Sequence, residues 1–430
     1  MKYIQLTLLL ATSILFTNCT FINDKKITDA NDYSLYLNVD ENKALTNAKE
    51  ELSFWENKLE ETPNQYPYLS KIASANSSLF KLSGDISQLK RAEENLLSLN
   101  KKTNYNNTSY LRSLARNYIS QHRFKEALEL LTKAEYIGEN LSTTQLMLVD
   151  VYLELGNIEK VEKYLSKVKN LKDFDYLIRL SKYNDHLGNL DNAIKYLENA
   201  LTFVKYSRKD ALVEWSYTNL GDYYGHAGRI KDSYNSYLNA LEINPNNSYA
   251  KKGIAWIVYS HEKNPEEAIR ILDNVLKENQ SPDYYLLKAE IADFMGNSLE
   301  KEKNTNLYLE KVADKNYGAM YAKYNVLLFA EKEKNVKALE IAKQEVEDRP
   351  TAQSYHLLAW AYYKTGNIDK ALEITQNKVV GKTFEPEALL HAAQILKAHN
   401  ETKKVKELKK ELLGAIYELG PSSEQEIKNL

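Results

Sequence analysis

The chain has 430 residues, 43% of them hydrophobic and 27% charged, which is enough apolar material for a large folded structure. Its 57 Lys+Arg and 59 Asp+Glu give a formal net charge of −2 and are interleaved along the chain, a pattern of solvated helix faces that argues against nucleic acid as a partner. One cysteine rules out an internal disulfide, and 14 Gly and 8 Pro beside 32 Tyr point to long helices held together by packing alone.

In chain order, Lys2 and the apolar run Ile4 to Phe16, broken only by Gln5, Thr7, Thr12 and Ser13, come first. The run is too short to span a bilayer and reads as an export signal over residues 1–18. It ends in Phe16-Thr17-Asn18-Cys19, which resembles the lipobox of bacterial lipoproteins, with Phe16 where Leu is usual and Asn18 where a small residue is usual. That resemblance implies cleavage before Cys19, acylation of Cys19, and an exported lipoprotein held at a membrane through its lipid. The outer membrane is the expected one, with its periplasmic and surface sides left open. Two or three acyl chains anchor stably where one does not. Residues 19–40 are polar and lack helical periodicity, so they are expected to form a tether.

Residues 41–104 are expected to hold the N-terminal helices. "AKEELSFWENKLEE" from Ala48 carries Phe54, Trp55 and Leu59 on one face as a cap, and a divergent helix pair pivots on Gly84. Five times a glycine precedes Asn or Asp: Gly84-Asp85, Gly156-Asn157, Gly188-Asn189, Gly296-Asn297 and Gly366-Asn367. Glycine can close a helix in the left-handed conformation and Asn or Asp can cap the next one, so each dipeptide predicts a helix-turn-helix hinge. Leu148, Leu180, Leu220 and Leu358 stand at one fixed offset before Gly156, Gly188, Gly228 and Gly366; Val161, Ala193, Ser233 and Ala371 stand at one fixed offset after them. The same frame fits Leu114, Tyr118, Ala127, Leu131 and Ala134 around His122.

Recurrence at this spacing resembles the tetratricopeptide repeat family. The clearest copy runs Tyr217, Leu220, Gly221, Tyr224, Ser233, Tyr237, Ala240 and Pro245. The resemblance implies an all-α, right-handed superhelical solenoid of helix-turn-helix repeats over residues 105–380. The pattern is degenerate over 264–345, where Ala268, Leu272 and Val275 fit only with one inserted residue. Residues 381–420 are then C-terminal capping helices and 421–430 a tail. Ala115, Ala127, Ala193, Gly221, Ala255, Ala359 and Ala371 are the small residues expected where helices approach most closely.

Chemistry is sparse. The seven histidines are never closer than eight residues apart, which excludes local metal-binding spacings, and no Walker loop, G-x-S-x-G or G-x-G-x-x-G occurs. We therefore expect no enzyme activity, cofactor or metal. "AWIVY" and "AWAYY" set a Trp after the small packing residue with a Tyr three residues on, the same helix face. By the family resemblance, Trp256, Tyr259, Trp360 and Tyr363 would face the concave groove, with Trp215 and Tyr249 near its rim. Arg112, Arg116, Asp150, Lys182, Asp185, Asp222 and Glu290 fall at equivalent positions with mixed sign. The expected role is a membrane-anchored scaffold holding a protein or peptide ligand. The alternative is a carbohydrate- or nutrient-binding lipoprotein partnering an outer-membrane transporter.

Overall fold

The computed structural model describes residues 26–39 and 41–430. Cys19 and the export signal lie outside them. Among the described residues the chain is all-α: helices follow one another with short connections, and no strand is present. From Tyr68–Ser83 and Ile86–Lys102 to Pro386–Ala398 and Thr402–Leu412, the helices form ten successive antiparallel pairs.

Each pair turns on one residue with positive φ. Six are glycines (Gly84, Gly156, Gly188, Gly228, Gly296, Gly366), with φ between 70° and 80° for all of them. The other four are His122, Lys263, Glu333 and Asn400, at 56° to 59°. At eight of the ten hinges, all but Gly84 and Lys263, the backbone closes in one way. The residue after the hinge donates to a carbonyl five residues back, as in Asn157 N to Tyr152 O and Arg229 N to Tyr224 O, both 2.8 Å. Asp85, Asn157, Asn297 and Asn367 then cap the second helix through their side-chain oxygens.

The inserted residue near 260 has a local cause. The helix Ser248–Trp256 continues as a π-turn over Ile257–His261, and at the Lys263 hinge the closing bond reaches one residue further back, from Asn264 N to Val258 O. A π-turn absorbs one extra residue without ending the helix. This rotation corrects one expectation. Tyr259, placed in the groove by analogy with Tyr363, is instead carried into the core, fully buried between Trp256 and Phe294.

The helix-crossing residues Ala115, Ala127, Ala193, Ala255 and Ala371 are completely buried, and Ala359 nearly so. Gly221 accommodates the ring of Tyr237: a Cβ there would stand 2.5 Å from its Cε1. The core is a succession of clusters rich in Leu, Ala and Tyr along the pairs, as expected when each pair buries its face mainly against its neighbours.

The superhelix winds far enough for late pairs to meet early ones. Gln280 N donates to Ser83 O at 2.9 Å, and Gly84 lies against Ser281. Arg349 pairs with Glu154 at 2.8 Å and stacks over Phe124, Gly156 lies against Thr351, and Gly188 against the ring of Phe384. The hinge ends of the first turn thus dock on the inter-pair junctions of the second.

Both termini also depart from the sequence expectations. Residues 27–39, expected as part of a free tether, form the helix Ala30–Leu37 and its approach, and Tyr33 and Leu37 are buried against the fifth and sixth pairs. A polar stretch can still dock when its few apolar residues fall on one helical face. In residues 421–430, expected as a tail, the helix Ser423–Lys428 buries Ile427 completely. Residues 386–412 form a full hinged pair. In the cap helix Lys43–Glu61 the inward face is Ala48 and Leu52, while Phe54 is 53% exposed.

Candidate functional site

The first helices of pairs five to ten, with Tyr237 and the segment 417–426 after the tenth pair, line a concave cavity of about 940 Å³. The size suits a polypeptide segment or small molecule. Trp256 and Trp360 stand in its wall. The Trp256 indole donates to Tyr417 O at 3.1 Å, which fixes the ring. Trp360 stacks on the imidazole of His391 at 4.0 Å and 10°, and on Tyr363 at 5.3 Å. His391 in turn stacks on His356 at 5.5 Å. Burial pushes both imidazoles down, His356 to about 3 and His391 to about 4, so the stack is neutral at physiological pH.

Charge in this cavity is one-sided. Nine carboxylate side chains line it against three lysines, Lys252, Lys323 and Lys364. Lys323 pairs with Glu387 at 2.9 Å. Burial would raise the Glu387 pKa, but the Lys323 ammonium holds it below the ordinary range. Among the described residues no cation pairs with Glu290: burial lifts it to about 7, although the Tyr259 hydroxyl bonds to it, and Gly420 packs against its carboxylate. Asp222 accepts two tyrosine hydroxyls, from Tyr237 and Tyr249, both at 2.6 Å.

A second cavity of about 910 Å³ adjoins it, sharing His226, Glu385 and Glu418. Here Glu154 is bridged by Lys182 at 2.7 Å and Arg349 at 2.8 Å, and the signs balance. Asp185 is lifted to about 6 by burial, with His226 opposing. Among the described residues no group of three His, Cys, Asp or Glu is placed to hold a metal ion.

Of the residues singled out from sequence, Trp256, Trp360, Asp222 and Glu290 line the first cavity, and Lys182 and Asp185 the second. Tyr249 is 43% exposed beside Asp222. Trp215 is half-buried, edge-on to Phe174, away from both cavities. Arg112 is a correction: it is buried, and its guanidinium donates to Glu139 O and Thr144 Oγ1, both at 3.1 Å, tying the second pair to the third. Asp150 is bound to Arg179 at 2.8 Å, and Arg116 is exposed outside the cavity linings. Glu385, Glu387, His391, Tyr417 and Glu418 were missed, because they reach the site only through the second superhelical turn.

Tetratricopeptide repeat models match residues 174–203, 226–291 and 351–374. A TPR repeat-containing protein of Methanocaldococcus jannaschii is 27% identical over 219 residues, covering 47% of this chain and 36% of that protein. The match therefore spans about a third of that relative's length. Among solved structures, a tetratricopeptide repeat protein from Parabacteroides merdae is 18% identical, covering 60% of this chain and 96% of its own, with a TM-score of 0.34. PilW, described as a widely conserved type IV pilus biogenesis factor, is 15% identical over 49% of this chain and 96% of its own, with a TM-score of 0.39. Ten hinged pairs, small buried residues at the named helix crossings and family matches at three separate places lead to one assignment: the chain carries tetratricopeptide repeats, matched over residues 174–203, 226–291 and 351–374.

Proposed function

We propose that the protein is a non-catalytic, membrane-anchored scaffold of the bacterial cell envelope that holds an extended, positively charged segment of a partner protein in its concave cavity. Repeats of this family present surfaces to other proteins, and the observation that selects the partner's chemistry is the carboxylate excess, nine against three lysines. Carboxylates gathered in a partly desolvated cavity raise one another's energy, and a cationic guest relieves that repulsion. Trp256 and Trp360 add flat apolar contact area at low entropic cost. The anchor reading rests on the export-signal pattern ending at Cys19.

Fluorescence anisotropy with a lysine-rich and a glutamate-rich peptide of equal length tests the cavity. The lysine-rich peptide should bind, more weakly at high salt, and Trp256→Ala with Trp360→Ala should weaken it by about tenfold or more. Equal binding of the acidic peptide, or retention of glycans in place of proteins in pull-downs from solubilised envelope, would refute this reading.

A further inference from the structure

The N-terminal segment that precedes the repeats is bound as a strap across the outside of the solenoid, over the second helices of the fifth and sixth pairs, Ile230–Ile243 and Pro265–Val275. Its contacts join residues more than 200 positions apart. The backbone N–H groups of Ile27 and Thr28 both donate to Glu262 Oε1 at 2.7 Å, and the Thr28 hydroxyl donates to the other carboxylate oxygen at 3.0 Å. Tyr234 donates its hydroxyl to Asp29 O at 3.1 Å, and Tyr33 donates to Glu267 at 2.7 Å. At the far end Asn42 donates to Glu278 at 2.6 Å, and Asn246 to Glu41 O at 3.2 Å. Tyr33 and Leu37, 2% and 7% exposed, seat the strap in the core.

We infer that this strap orients the protein on the membrane: it holds the outer face of the fifth and sixth pairs against the phospholipid surface and leaves the concave cavity on the opposite face, free for a partner. The inference rests on the anchor reading at Cys19. Ile27 is eight positions after Cys19, and an extended chain spans at most about 3.6 Å per residue, so the bound end of the strap lies within about 29 Å of the acylated residue. Were the strap loose, the free chain would run from Cys19 to Lys43, 24 residues on, with a reach of about 86 Å and no preferred face. Docking removes nearly two thirds of that freedom. In these two pairs the cavity is lined by Asp222, His226, Lys252, Gly253 and Trp256 of first helices and Tyr237 of a second, whereas the strap is held by Glu262 at the sixth hinge and by Tyr234 and Glu267 of second helices, so none of the strap's partners lines the cavity.

Acylation of Cys19 consumes the protein's one thiol, so an introduced cysteine can be labelled alone. A donor fluorophore at Glu266→Cys, on the exposed strap side, and another at Lys364→Cys, in the cavity wall, are compared in vesicles carrying a headgroup-linked acceptor. The lipidated full chain should transfer more strongly from position 266 than from 364. Glu262→Gln with Tyr33→Phe, which keep side-chain volume and the helical circular dichroism, should abolish that difference while the protein stays vesicle-bound. Equal transfer in the otherwise unaltered chain, or a difference that survives strap release, overturns the orientation alone. A Cys19→Ser chain that still floats with vesicles overturns the anchor reading and the orientation with it.

Discussion

Tyr237 is held between two glycines on neighbouring first helices. Gly253→Ala would place a Cβ 2.3 Å from its Cζ and 2.5 Å from both Cε atoms, where ordinary contact begins at 3.4 Å. The ring must retreat by more than an ångström, yet Gly221 already abuts its other side, and its hydroxyl is bound to Asp222 at 2.6 Å. Overpacking of this kind costs about 1–3 kcal/mol. Against it stands the better helix propensity of alanine, about 1 kcal/mol. The net expectation is destabilisation of about 1–2 kcal/mol, read from urea titrations followed by circular dichroism. In a Tyr237→Leu background the same substitution should become neutral or stabilising, which a double-mutant cycle reports as coupling between the two sites. Stabilisation by Gly253→Ala in the otherwise unaltered chain would refute the wedge, since only the propensity gain would then be operating.

Four further outcomes follow from the geometry. Arg112→Ala should cost about 1–3 kcal/mol by leaving Glu139 O and Thr144 Oγ1 without their donor, with no change in peptide affinity by anisotropy. Gly188→Ala should lower the thermal midpoint more than Gly228→Ala. Both force alanine into the left-handed region, but only the first drives a Cβ into the Phe384 ring, at 2.7 Å. Glu290 is raised in the folded state from 4.5 to about 7, so folding takes up a proton in that window. Its destabilising effect is absent below the lower value, grows as pH rises and is complete above the upper one. The stability difference between Glu290→Gln and the unaltered chain should therefore widen in favour of the variant from about pH 4.5 to 7 in urea titrations. Lysine-rich peptide should also bind the unaltered chain more weakly at the acid end, as Glu290 protonates.

The legible part of this structure is the part written in local chemistry. A glycine followed by Asn or Asp marks a hinge because φ must be positive there and the next helix needs a cap, and small residues mark helix crossings because only they fit. The middle repeats blurred where that chemistry is substituted. Lys263 and Glu333 take the left-handed conformation without being glycine, and the π-turn after Trp256 shifts the frame by one. That shift also explains why Tyr259 was misplaced while Trp256, upstream of the turn, was not. The cavity's acidity was only half visible. Asp222 and Glu290 lie on first helices and follow the periodicity, whereas Glu385, Glu387 and Glu418 enter the site because the chain winds past a full turn. No spacing within one repeat encodes that. Arg112 shows the reverse error, a charge at a groove position spent on tying two pairs together.

An array of stacked repeats ordinarily behaves as a one-dimensional lattice, in which each unit feels only its neighbours and the ends can fray independently. The docking of Arg349 on Glu154 and of Phe384 on Gly188 adds couplings that skip nearly two hundred residues. Nearest-neighbour additivity then fails: removing the last pairs withdraws support from the third and fourth, which no local count would attribute to them. Such contacts close large loops, whose entropic cost slows folding relative to an array with neighbour contacts alone. The result is a spring whose coils are stitched together, stiffer along its axis than the same number of repeats left open.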